Sequence, residues 1–240
     1  MKRSEGSWLS NRPVAHRGLH DESLPENSIP AFLAAADRGY PIELDVRLSS
    51  DGFVVVFHDF NTLRMTGINL NVSDTKAADL TSLRLSATEY RIPLLTQVLS
   101  AVGGRVPLLI EIKNEGNPGK LEETICDIMQ NYREEFAIQS FNPFSLTSVK
   151  KACPGFKTGL LHMSLQNLRI IKKLRIYSCL IKLYLKLDFM AFNIDSLPSK
   201  SAERARLKKM PVLCWTVTNE KDRKKALRYC DNYIFETIRP

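Results

Sequence analysis

Several things are missing from this 240-residue chain. Its five cysteines (Cys126, Cys153, Cys179, Cys214 and Cys230) form no CxxC pair and have no metal-site spacing. An odd, scattered set fits reduced, mostly buried thiols in a cytosolic protein better than a disulfide framework or a zinc module. The N-terminal MKRSEGSWLSN starts positive but has no apolar core, so no secretory signal is expected. Nowhere do about 18 uncharged apolar residues run together, so no membrane-spanning helix is expected. The net charge of +8 invites a nucleic-acid reading. However, the basic residues are dispersed or confined to one apolar stretch, and no recognition motif accompanies them. No nucleic-acid partner is expected.

What remains is an ordinary globular composition, 44% hydrophobic and 25% charged. Short apolar runs alternate with stretches of helical period. Pro13–Arg17 reads as a short buried strand. Asn27 is placed to cap a helix with Ile29, Phe32, Leu33 and Ala36 on one face, and Gly39 stops it. Ile42–Leu48 is the next strand, Ser50-Asp51-Gly52 a turn, and Phe53–His58 a third strand. Residues 61–91 lack a clear period and read as a small insertion of loops and turns. Pro93 opens a helix. Thereafter strands at Val106–Lys113, Phe136–Ser140, Lys157–Leu161, Phe189–Ile194, Val212–Val217 and Tyr233–Glu236 alternate with helices. Those helices are expected at Lys120–Tyr132, Asn142–Lys151, Lys200–Lys209 and from Thr218 or Asn219 to Tyr229.

Strands alternating with helices imply parallel pairing. Roughly eight such units in a chain of this length predict an α/β fold of TIM type, a (β/α)8 barrel, with an open doubly wound sheet as runner-up. The barrel is favoured because His16, Arg17, Glu111, Lys113, Ser140 and Trp215 fall at or near the C-terminal ends of different strands, where barrel active sites lie. A single barrel domain over 1–240 is expected.

The chemistry concentrates between Pro13 and Asp59. Glu43 and Asp45 are two apart on one strand and share a face. Paired carboxylates are costly unless a cation or a proton separates them, and oxygen-only ligation suits a hard divalent ion. His16 and His58 each follow an apolar run near these acids, as an acid–base pair would. Glu111 and Lys113 share a face in LLIEIK, where an unpaired carboxylate costs on the order of several kcal/mol. Read alone, they leave a buried ion pair without a metal open as the alternative.

These residues sit in motifs: His16-Arg17-Gly18, Pro25-Glu26-Asn27-Ser28, Glu43-Leu44-Asp45-Val46, Asp51-Gly52, Val56-Phe57-His58-Asp59 and Glu111-Ile112-Lys113. Together they resemble the glycerophosphodiester phosphodiesterase family, and the match recurs along most of the chain. The resemblance implies a barrel hydrolase that cleaves glycerophosphodiesters to an alcohol and sn-glycerol 3-phosphate. It implies Glu43, Asp45 and Glu111 as ligands of one divalent cation, Mg²⁺ or Ca²⁺ with Mn²⁺ a third option. His16 is assigned as general base and His58 as general acid, exchanging roles between two steps.

Arg17 and Lys113 are expected to neutralise the phosphate, although Arg17 is also placed to pair with Glu43 or Glu26. Trp215 is expected either to wall the substrate pocket or to pack in the core. Glu26, Asn27 and Asp59 are expected to support the ligands and histidines from behind. His20 is expected in a solvated loop, and no role is carried to Phe235-Glu236-Thr237, whose order departs from the family's Thr-Asp.

The segment 163–187 looks least like the family. From Leu165 to Leu187 it has six basic residues and no acid, with Ile170, Leu174, Tyr177, Ile181 and Tyr184 at helical spacing. It reads as an ordinary barrel helix or as an interfacial helix on anionic lipid. The protein is therefore expected in the cytoplasm, with peripheral membrane contact as an alternative. Two rival functions stay open: a lysophospholipase D-like activity at a membrane surface, and a non-catalytic phospholipid-binding barrel.

Overall fold

A computed structural model describes residues 7–114, 116–162 and 186–240. Eight parallel strands close into a barrel: β1 (Val14–Ala15), β2 (Ile42–Leu48), β4 (Leu108–Ile112), β5 (Phe136–Ser140), β6 (Thr158–His162), β7 (Phe189–Asn193), β8 (Val212–Val217) and β9 (Asn232–Phe235). Closure comes through β1, which pairs with β9 at Val14–Ile234 and Ala15–Phe235 and with β2 at Ala15–Ile42. The fold is the expected TIM-type barrel.

One strand departs from the expected alternation. β3 (Val54–Val56) runs antiparallel to β2, with Val46 opposite Val56. It occupies the edge of β2 that the two-residue β1 leaves uncovered beyond Ile42. A short apolar run carries no information about strand direction; here the tight turn through Gly52 sets it. The result is that the chain runs back along β2, the Phe57 amide donating to the Asp45 carbonyl at 2.9 Å, and His58 lands near Asp45 instead of starting a new barrel unit.

Strand alternation divides the core in two. Outward residues such as Leu44, Val46, Ile110 and Phe192 pack under the helices. These are α1 (Ile29–Asp37), α4 (Leu95–Val102), α5 (Lys120–Met129), α6 (Pro143–Ala152), α7 (Lys200–Leu207) and α8 (Glu220–Tyr229). The inward residues Val14, Leu109, Ala137, Phe189 and Leu213 fill the lower barrel, together with Trp8 and Leu9 from a short 3-10 turn. Asn232 Nδ2 donates to the carbonyls of Trp8 and Arg12, fastening that plug to β9. Higher up, the inward positions become Glu43, Asp45, Glu111 and Gln139, so one barrel end is apolar and the other ionic.

Residues 61–91 contain two short helices, α2 (Leu63–Thr66) and α3 (Ala77–Ser82), and a 3-10 turn at Val72–Asp74. Met65, Val72, Leu80 and Leu85 form a separate small core against Val55 and Phe57. Helices of four and six residues are too short to display a period, which is why the sequence reads there as loops. Of the basic segment 163–187, residues 163–185 lie outside the described residues. The whole predicted stripe, Ile170 to Tyr184, is among them; Lys186 and Leu187 are described, and Leu187 is buried in the outer core.

Candidate active site

The parallel register of β2 and β4 places Asp45 beside Glu111, with Glu43 two residues earlier on the same face. A carboxylate oxygen from each lies within 4.8 Å of the others, and all three side chains are buried. Lys113 Nζ ion-pairs with Glu111 Oε1 at 2.5 Å and Asp45 Oδ1 at 3.2 Å. Arg17 Nε lies 3.1 Å from Asp45 Oδ2, while its Nη1 donates to Glu26 Oε1 at 2.7 Å. Three carboxylates against these two cations leave a formal charge of 3 − 2 = 1 negative.

Burial dominates the electrostatics, and that excess adds to it. Burial, then Asp45 and Glu111, hold the Glu43 carboxyl well above its usual range. Burial and Asp45 likewise raise Glu111. Burial works against Asp45 too, but Lys113 and Arg17 outweigh it and keep Asp45 ionised below the usual carboxylate range. Glu43 Oε1, Asp45 Oδ1 and Glu111 Oε1 are buried without a well-aligned hydrogen-bond donor, although Lys113 Nζ ion-pairs with the latter two. Unsatisfied buried oxygens converging from three side chains fit a hard divalent cation.

Local backbone geometry aims these groups. Arg17 has φ 53° and Asn27 has φ 56°, both in the left-handed region that side chains other than glycine seldom adopt. The turn at Arg17 lets its amide donate to Glu43 Oε2 at 3.1 Å. Asn27 clamps Asp45 reciprocally: Nδ2 donates to Oδ2 at 2.9 Å and Oδ1 accepts from the Asp45 amide at 3.2 Å. The expectation that Asn27 caps α1 is therefore corrected. Ser28 is the cap, its Oγ accepting from the Ala31 amide.

Gly18 has φ 84°, and a Cβ there would lie 2.7 Å from the Ala31 carbonyl carbon. Gly18→Ala is expected to cost about 1–3 kcal/mol, combining overpacking with left-handed strain. Urea unfolding checks this; an unchanged midpoint refutes it.

His16 and His58 line one cleft of about 250 Å³ with Arg17, Glu43, Glu111 and Lys113. Trp215 and Phe141 form its apolar wall, edge to face at 5.4 Å between ring centroids. His58 Nδ1 is 2.6 Å from Asp59 Oδ1, and its ring is biased neutral, chiefly by burial. A wider groove of about 410 Å³ opens on the far side of Lys113, past Phe60 and Lys120, but neither histidine lines it.

The sequence reading missed two groups. Arg64, from α2, donates to Asp59 Oδ2 at 2.5 Å and to Glu26 Oε1 at 2.7 Å, tying the insertion to the cleft. Glu236 Oε2 lies 2.6 Å from His16 Nδ1. His20, expected in solvent, is mostly buried with Nε2 3.8 Å from Glu236 Oε1. His162 sits against Phe192, with ring centroids 5.1 Å apart.

A family model for glycerophosphoryl diester phosphodiesterases matches residues 16–233. The chain belongs to this family. A glycerophosphodiester phosphodiesterase from Caldanaerobacter subterraneus subsp. tengcongensis is 32% identical over 90% of this chain and 89% of its own. A lysophospholipase D from Rattus norvegicus is 35% identical, but over 56% of this chain and 45% of its own. Among solved structures, an Oleispira antarctica phosphodiesterase in complex with sn-glycerol-3-phosphate superposes with TM-score 0.80. It has 21% identity and covers 95% of this chain and 93% of that one. A Thermotoga maritima glycerophosphodiester phosphodiesterase gives 0.75 at 24% identity, covering 94% of each chain. Membership makes the protein a phosphodiesterase by class. The family generally depends on divalent metal, and this chain has an acidic trio suited to hold one. No helix among the described residues is long and apolar enough to cross a membrane.

Proposed function

We propose that this protein, a single barrel domain over residues 1–240, hydrolyses glycerophosphodiesters to an alcohol and sn-glycerol 3-phosphate. The observation that carries this reading is the convergence on one cleft of two imidazoles, three buried carboxylates and two cations. Glu43, Asp45 and Glu111 would hold a divalent cation, Mg²⁺ or Ca²⁺, which when bound would supply charge stabilisation for phosphoryl transfer. Arg17 and Lys113 oppose the remaining negative charge, and the glycerol carbons lie against Trp215.

His16 takes the proton of the glycerol 2-hydroxyl as that oxygen attacks phosphorus, and His58 gives a proton to the departing alcohol oxygen. The cyclic phosphate is then opened by water. His58 now accepts the water proton and His16 returns one to the 2-oxygen, so both histidines end as they began. Asp59 supports this by accepting from His58 Nδ1 and, against the burial that favours the neutral ring, stabilising the imidazolium whose Nε2 gives the proton. Glu26 and Asn27 hold Arg17 and Asp45 in place.

Similarity to the rat lysophospholipase D favours lysophospholipids as a second substrate class. The complete set of His16, His58, Glu43, Asp45 and Glu111 speaks against a non-catalytic lipid-binding barrel. In the test, purified protein is treated with EDTA and assayed on glycerophosphocholine and glycerophosphoethanolamine, with and without Mg²⁺ or Ca²⁺. Release of sn-glycerol 3-phosphate that stops with EDTA and returns with the ion is the expected result. Release indifferent to EDTA overturns the metal assignment, and no release on either substrate overturns the activity.

A further inference from the structure

The parallel register of β1 and β9 continues past Ala15–Phe235, where the His16 amide donates to the Phe235 carbonyl at 2.9 Å. The next pair across those strands is His16 and Glu236. Their side chains meet, Nδ1 to Oε2, at 2.6 Å. Glu236 is held firmly: its amide donates to the Val217 carbonyl at 2.9 Å, and Thr237, at φ 63°, anchors through Oγ1 to the Thr218 carbonyl. The arrangement matches that on the other side of the cleft, where Asp59 meets His58 Nδ1 at the same distance.

We propose that Glu236 is the positioning residue for His16: it accepts the Nδ1–H, fixes that tautomer, and leaves Nε2 with the lone pair that faces substrate. This rests on the reading of His16 as the base. An ionised carboxylate only accepts hydrogen bonds, so the proton between the two belongs to the ring. The Glu236 carboxyl is depressed to about 2, first by the bond to His16, against burial. Besides His16, the groups facing it are His20 and Arg17. Burial lowers the pKa of His20, biasing it neutral, so its contact leaves the Glu236 charge to act on His16. A carboxylate behind the base both selects the tautomer and stabilises the imidazolium formed when the substrate hydroxyl loses its proton.

The experiment compares wild type, Glu236→Gln and Glu236→Ala in full-length, Mg²⁺-supplied protein. Two readouts are taken: kcat and KM on glycerophosphocholine, and the ring ¹⁵N shifts of His16. Glu236→Gln is isosteric and still accepts one hydrogen bond; it is expected to lose about 10-fold in kcat, and Glu236→Ala about 100-fold, each with KM within about threefold. In Glu236→Ala the neutral His16 ring is expected to move from the Nδ1–H to the Nε2–H form. Unchanged kcat in both variants, or an unchanged tautomer in Glu236→Ala, overturns the proposal. A wild type inactive on every glycerophosphodiester refutes the functional reading instead, and the tautomer readout still decides whether Glu236 positions His16.

Discussion

Alanine in place of His58 is expected to lower kcat on glycerophosphocholine by about 10²–10⁴-fold, the usual worth of a positioned general acid, with KM little changed. Alanine at His16 should cost a similar factor. The two losses differ in what relieves them. An acid is needed because an alkoxide leaves poorly; an aryl leaving group departs without a proton. Glycerophospho-p-nitrophenol should therefore restore much of the rate of p-nitrophenol release, the first step, to His58→Ala, whose opening of the cyclic phosphate stays slow, but little to His16→Ala, whose missing step is activation of the attacking hydroxyl. If the aryl substrate rescues His16→Ala instead, the assignment of base and acid is reversed. If it rescues neither, acid–base division between the two rings is wrong. Neither side chain lies in the apolar barrel core, and both are partly exposed, so stability should change little.

The acidic trio predicts an unusual stability profile once the protein is stripped of metal. The carboxyls of Glu43 and Glu111 are raised in the fold, Glu111 to about 7 from an ordinary 4.5. Below the ordinary value both states carry the proton and nothing is lost. As pH climbs past it, the unfolded chain releases protons that the fold retains, so stability falls, and the Glu111 contribution is complete once pH exceeds about 7. Asp45 and Glu236 act in the opposite sense. Their carboxyls are depressed, so their stabilisation is already present above about pH 4.5 and lies outside this window.

In EDTA Glu43 and Glu111 should therefore pull the melting temperature down from about pH 5 to pH 8, against an opposing rise up to about pH 6.5 from His20 and His58, whose rings burial biases neutral. Glu111 accounts for at most on the order of 3 kcal/mol of that, since each tenfold difference in proton affinity between folded and unfolded chain is worth about 1.4 kcal/mol. Mg²⁺ or Ca²⁺, binding only the folded form, should reverse the decline, and more strongly at pH 8 than at pH 5. Glu111→Gln should flatten the profile and lose most of the response to the ion. In EDTA, a wild-type profile that falls no more steeply than that of Glu111→Gln would show that the Glu111 carboxyl is not raised, and an undiminished response to the ion in Glu111→Gln would show that these oxygens do not share a cation.

Much of the site could be read from the chain because strand chemistry is periodic. Glu43 and Asp45, two apart in an apolar run, must share a face, and Glu111 and Lys113 repeat that pattern on another strand. The strands Ile42–Leu48, Phe136–Ser140 and Val212–Val217 have the boundaries their composition predicts. Where reading failed, the cause was a contact distant in sequence or a local pattern with two outcomes. β3 has the composition of a barrel strand but pairs antiparallel. Asn27 has the residue type of a helix cap but clamps a carboxylate, because its left-handed backbone turns it toward β2. Arg64 comes from a helix too short to announce itself.

By itself, the sequence determined the set of reactive groups and the face of each strand that carries them, since side-chain type and two-residue alternation are local properties. Only the tertiary structure decided which groups touch. Closure of the barrel through β1 and β9 joins residues 220 apart, His16 and Glu236, and the β2–β4 register brings Glu111 to Asp45. Such pairings arise from sheet register and closure, which depend on the packing of the whole barrel and leave no local mark in the chain.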